Sequence, residues 1–229
     1  MDKPMKTISP RWSYFLLGLS AVSIIVSLFM VFVVVPTEAT MGIIQRIFYY
    51  HVPVAWVAFL AFFVVFVASI MYLWKRSRMW DIIAHAAAEI GVIFTTLVLI
   101  TGSIWAKPIW GVWWTWDARL TASLVLWLIY ISYLIVRSFI AEEERAARFA
   151  AVVGIIGFVD VPIVALAIVL WGTQHPNPVI FEGGLAPTML ATLLTSLLAI
   201  TSVFFLLLLQ RISLRQDELR INELKRYLD

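Results

Sequence analysis

Three residue types in this chain can do chemistry by virtue of their spacing. There are only three histidines among 229 residues, and two of them stand in aromatic surroundings: Arg46-Ile-Phe-Tyr-Tyr-His51-Val-Pro53 and Trp171-Gly-Thr-Gln-His175-Pro176. Five of the eleven tryptophans crowd into one run between them, Trp105-Ala-Lys-Pro-Ile-Trp110-Gly-Val-Trp113-Trp114-Thr-Trp116-Asp117. Arg46 and Arg119 flank these segments. Neutral imidazole is a good ligand for iron, indole offers broad flat surface, and arginine grips carboxylates in a two-pronged fork. The combination suits a large planar ligand that carries a metal and acidic substituents.

The elements that must position these groups are membrane helices. With 62% hydrophobic and 14% charged residues, the chain lies far from the composition of soluble domains, which are about half apolar and a quarter charged. Apolar runs long enough to span a bilayer occur at roughly 12–35, 54–74, 82–104, 118–139, 150–171 and 187–209. These predict an all-α integral membrane protein, a single six-helix domain over residues 1–229. The first run, behind the basic flank Lys3, Lys6 and Arg11, is too long for a signal-peptide core and reads as a retained helix. The stretch 211–229 alternates charges with Ile212, Leu214, Leu219, Leu224 and Leu228, the pattern of a short amphipathic surface helix.

Of the 17 lysines and arginines, only Arg46, Lys107 and Arg119 fall in the alternate connections. That bias predicts cytoplasmic termini and a periplasmic tryptophan run. It also places His51 and His175 at the same outer membrane edge as the tryptophans, where two imidazoles and an aromatic platform could clamp a porphyrin by its metal and its faces. Each histidine alone is equally well read as a polar interfacial residue. The absence of cysteine excludes disulfides, thiolate metal sites and covalent haem attachment through C-x-x-C-H. No G-x-x-x-x-G-K-S/T sequence is present, so an ATP-driven step needs another subunit.

Blander roles compete for several residues. Single tryptophans at helix ends (Trp12, Trp74, Trp80, Trp171) fit an interfacial belt. Trp110, Trp113 and Trp114, spaced i, i+3, i+4, predict a short surface helix from near Pro108. Its face would dip into lipid or turn toward a ligand, and spacing does not choose. Asp117 suits the N-cap of the fourth span. Arg46 and Arg119 would serve equally for headgroup contact. His85 and Glu89, four apart, share a helix face and suit an ion pair or hydrogen bond. Asp160, two residues before a helix-breaking Pro162, is an intramembrane carboxyl and so a functional candidate, but no catalytic role is assigned to it or to Glu89.

The segment Gly102-Ser-Ile-Trp105-Ala-Lys107-Pro108-Ile-Trp110-Gly111-Val-Trp113-Trp114-Thr-Trp116-Asp117-Ala-Arg119 resembles the "WWD" signature of haem-handling proteins, and the His51 and His175 segments resemble its flanking histidine motifs. With its span count and length, the whole chain is similar to the haem exporter protein C family of cytochrome c maturation. The resemblance implies a non-enzymatic protein that holds haem b, non-covalently and transiently, at the periplasmic face of the bacterial cytoplasmic membrane. It would present haem to a membrane-anchored haem chaperone within an assembly containing an ABC-type ATPase, a permease subunit and a small single-span protein. His51 and His175 would be the axial ligands. Trp105, Trp110, Trp113, Trp114, Trp116 and Asp117 would form the haem platform and docking surface, and Arg46 and Arg119 the propionate partners. Two rival classes remain: a membrane b-type cytochrome subunit, whose ligands belong at bundle depth, and a small-solute transporter or permease, for which Asp160, Glu89 and His85 are a thin polar pathway.

Overall fold

The computed structural model describes residues 10–175 and 183–226. Lys3, Lys6 and Leu228 lie outside them. The described residues form seven helices: α1 (Pro10–Phe29, ending in a π-turn Met30–Val34), α2 (Phe48–Lys75, entered through a 3-10 turn Ile43–Ile47), α3 (Arg78–Trp110), α4 (Ala118–Phe139), α5 (Glu143–Phe158), α6 (Asp160–Trp171) and α7 (Pro187–Arg226). Counting α5 and α6 as one broken crossing, six helices are long and apolar enough to span a membrane. With an even number of crossings, both ends of the described chain lie at one end of the bundle, the terminal end. The tryptophan run lies at the other.

Helix α2 is central and packs on α3, α5 and α7; α4 packs on α3, α5 and α6, while α1 lies outside against α7. Between membrane helices, close packing and interhelical hydrogen bonds replace the hydrophobic drive, and the α2–α3 contact shows how. Ala84, Ala87 and Ala88 of α3 are buried, and a Cβ placed on Gly91 would stand 2.5 Å from Cε1 of Phe62. The missing methyl admits the Phe62 ring, which stacks on Tyr130 of α4 at 3.7 Å between centroids. Tyr130 in turn donates to the Gly154 carbonyl of α5 at 3.1 Å. On the far side, Ser27 and Ser196 hydrogen-bond at 2.8 Å and tie α1 to α7.

Two expectations about boundaries change. First, no separate surface helix begins near Pro108. α3 runs through that proline to Trp110, because one missing N–H in a last turn is a small loss. Gly111, at φ 77°, then ends the helix in the left-handed conformation that only glycine adopts freely. Val112 to Trp116 are irregular, so Trp110, Trp113 and Trp114 share no helical face. Second, the tail is no independent amphipathic helix. From Pro187 to Arg226 no glycine or proline interrupts α7, and Ile212, Gln216 and Leu219 are buried in the bundle. The helix-breaking effect expected of Pro162 is present: the fifth crossing is broken at Val159. Pro162 lacks the N–H that would reach the Phe158 carbonyl, and the Val159 N–H turns back to Ile156 at 3.1 Å.

The terminal end is fastened by ion pairs. Arg137 of α4 grips Asp81 of α3 with both terminal guanidinium nitrogens. Arg211 of α7 holds Glu89 of α3, with Nε to Oε2 at 2.5 Å and a second nitrogen to Oε1 at 2.9 Å. His85 adds a 3.5 Å contact to the same carboxyl, so the helix-face pairing of His85 with Glu89 is present, with Arg211 as the stronger partner.

Candidate functional site

At the tryptophan end, α2, α3, α4 and α6 surround a recess of about 920 Å³, counting its open mouth. Phe59, Val98 and Val164 provide apolar wall, and His51, Arg119 and His175 are among its polar groups, with Ser103, Ser123 and Gln174. The histidines and the arginine each reach the recess from a different element: His51 from the second turn of α2, Arg119 from the first turn of α4, and His175 from the connection after α6.

His51 is held on two sides. Its Nδ1 lies 2.8 Å from the Thr101 hydroxyl of α3, and its ring meets Trp105 edge to face at 5.7 Å. A Cβ on Gly102 would stand 3.2 Å from the His51 Cε1, so the bare backbone there makes room for the imidazole. The side chain is buried. His175 is partly exposed at the rim.

The tryptophans divide. Trp105, Trp110 and Trp114 line the recess, and the indole N–H groups of Trp105 and Trp114 are buried with no hydrogen-bond acceptor among the described residues. Trp113 and Trp116 are 58% and 75% exposed and point outward, although Trp116 touches Trp114 edge to face at 5.9 Å. Asp117 is fully employed as an N-cap: Oδ1 accepts from the Arg119 and Leu120 N–H groups at 3.0 and 3.2 Å, and Oδ2 from the Thr115 hydroxyl at 2.7 Å. Arg46 is absent from the lining; its guanidinium lies over the Phe32 ring at 5.9 Å.

These features fit haem. A buried polar donor without a partner costs free energy, and two residues that line the recess, Trp105 and Trp114, carry such indole donors, while Arg119 brings a cation to the same recess. Two imidazoles reach one largely apolar recess with an open mouth. No group of three or more His, Cys, Asp or Glu gathers among the described residues.

Fold and site together define a six-crossing membrane protein with an aromatic, histidine-bearing recess at one end. A sequence model of the family described as Heme exporter protein C matches residues 2–226. The chain belongs to that family. It is 38% identical over 172 residues to the Heme exporter protein C of Bradyrhizobium diazoefficiens, covering 74% of this chain and 65% of the relative. Against the Escherichia coli K12 protein of the same name, identity is 34% over 154 residues, covering 67% and 63%. A ccmC-like mitochondrial protein of Marchantia polymorpha, named for cytochrome c biosynthesis, is 32% identical over 208 residues, with 86% of each chain covered. The matches thus span a little under two thirds of the two bacterial relatives' length.

Sequence reading missed Thr101 and Gly102. Both precede Trp105 by one helical turn, so they share its face. The signal was there in the spacing, but Thr101 drew no notice, and Gly102 entered only as the first residue of the signature segment.

Proposed function

We propose that this protein binds haem b in the recess, non-covalently and transiently, and presents it for cytochrome c biogenesis as a haem export and delivery component. The observation that carries the proposal is the convergence of His51 and His175 on one recess whose wall holds two acceptorless indole N–H groups and Arg119. Nε2 or Nδ1 of each histidine would ligate the iron. Arg119 and the Trp105 and Trp114 indoles would receive the propionates, and the apolar wall would exclude water from the macrocycle. Arg46, lying over Phe32 just outside the lining, remains a propionate partner only if its side chain swings inward on binding.

The outward Trp113 and Trp116 supply the surface on which a membrane-anchored haem chaperone would dock. A protein with this role performs no turnover of its own. It would work with an ABC-type ATPase, a permease subunit and a small single-span protein in the bacterial cytoplasmic membrane, with the recess facing the periplasm. Ligands at one end of the bundle favour presentation over the electron-transfer reading, which places haem at bundle depth.

The test is the haem absorbance spectrum of the detergent-purified protein beside His51→Ala and His175→Ala. A six-coordinate spectrum that either substitution weakens or converts supports the proposal. Identical spectra in both variants, or no haem taken up after supplementation, would refute the ligand assignment.

A further inference from the structure

We infer that Thr101 is a positioning residue for His51: its hydroxyl fixes the imidazole as the Nδ1–H tautomer and leaves Nε2 as the nitrogen with a free lone pair. The inference rests on the reading of His51 as an iron ligand and goes beyond it by assigning the ligating atom and the group that selects it.

A hydroxyl has one proton to give. The Thr101 oxygen lies 2.7 Å from the Leu97 carbonyl, one turn back in α3, and two oxygens so close need a proton between them. That proton belongs to Thr101, since a carbonyl has none. A second carbonyl, that of Val98 at 3.4 Å, lies on the same side. With its proton turned into its own helix, the hydroxyl faces His51 Nδ1 at 2.8 Å as an acceptor. Nδ1 must therefore carry hydrogen. A neutral imidazole has only one, so Nε2 is bare.

Gly102 completes the seat. The space its missing Cβ leaves is 3.2 Å from Cε1, the carbon between the two ring nitrogens. Trp105, one turn beyond Thr101, meets the ring edge to face. Three neighbouring residues of α3 thus set tautomer, clearance and tilt for a ligand on α2. A hydrogen bond to the far nitrogen also raises the basicity of a ligating imidazole, and losing such a partner typically weakens metal affinity about ten- to a hundredfold.

The experiment uses the full chain in detergent, as native protein, Thr101→Val, Thr101→Ser and His51→Ala. Haem titration and the midpoint potential of bound haem are read, together with nitrogen-15 NMR of the histidine rings before haem is added. The expected result is an Nδ1–H signal for His51 in the native protein, assigned by its loss in His51→Ala. Thr101→Val should bind haem about ten- to a hundredfold more weakly, and its potential should become more positive as ferric iron loses electron donation. Thr101→Ser should restore both. An Nε2–H tautomer in the native protein overturns the inference, and that readout needs no loaded haem and no folded variant at position 101. Native affinity and potential in Thr101→Val overturn it too, while leaving the ligand reading intact if His51→Ala loses haem. An unchanged haem spectrum in His51→Ala removes the ligand reading itself, and the inference with it.

Discussion

Replacing Gly91 with alanine adds one methyl group where α2, α3 and α4 meet, and the structure says what that methyl would strike. The new Cβ would stand 2.5, 2.9 and 3.2 Å from three carbons of the Phe62 ring. An ordinary carbon contact needs about 3.5–4.0 Å, so the ring must retreat by about 1 Å. It has nowhere to go: Phe62 is fully buried, with Tyr130 stacked on its other side at 3.7 Å. Tyr130 is itself tethered to the Gly154 carbonyl. Overpacking of this kind costs about 1–3 kcal/mol, which is roughly a five- to 150-fold loss in the folding equilibrium at ~1.4 kcal/mol per tenfold. Equilibrium unfolding in mixed detergent would measure it. Phe62→Leu should cost stability alone, by opening a void, yet recover part of the loss when combined with Gly91→Ala, because the two share one volume. Simple additivity in the double-mutant cycle, or a Gly91→Ala protein as stable as the native one, would refute the account of a ring seated against bare backbone.

Further outcomes follow from the caps and ion pairs. Asp117→Ala should destabilise the protein by about 1 kcal/mol through loss of the α4 N-cap, with Asp117→Asn retaining most of it; thermal unfolding of the pair checks this. Arg211→Met should be more harmful than the double change Arg211→Met with Glu89→Gln, since the single variant strands a carboxylate that its partner held at 2.5 Å; unfolding midpoints of the set would show the order. In the connection after α1, the Met41 N–H, with help from that of Thr40, holds the Glu38 carboxyl below its ordinary pKa. A group depressed in the folded state supports this turn above the ordinary carboxylate range and ceases to do so as pH falls through its folded pKa. The protection of the Met41 amide, measured as its exchange rate relative to the intrinsic rate at each pH, should therefore fall on acidification, and Glu38→Gln should remove that pH dependence of the protection.

Membrane crossings announce themselves through length and composition, which is why the six spans and the Asp117 cap were legible. Ends of helices were less so. Nothing in local pattern says that Pro108 rides harmlessly in a last turn while Gly111, three residues past it, stops the helix, for that depends on which residue can take φ 77°. The tail looked separate because its polarity changes at Gln210, whereas continuity depends on Arg211 finding Glu89, 122 positions away in the chain. At the site, the residue types of the histidines and tryptophans drew attention, and His51, His175, Trp105, Trp110 and Trp114 do meet at one recess. That Trp113 and Trp116 face outward, or that the second oxygen of Asp117 takes the Thr115 hydroxyl, required three dimensions.

Forty residues without a break give α7 a length of about 60 Å, twice the roughly 30 Å of a hydrocarbon layer. The surplus begins near Arg211, where the helix is still clasped to α3. Beyond that point the chain leaves the apolar slab as a stiff mast rather than a tether. A load applied near its tip meets no hinge on the way in; it passes Gln216 against Met79 and Arg215 beside Glu143 and reaches Glu89, on the same rod that carries Thr101, Gly102 and Trp105 about three to four and a half turns further along.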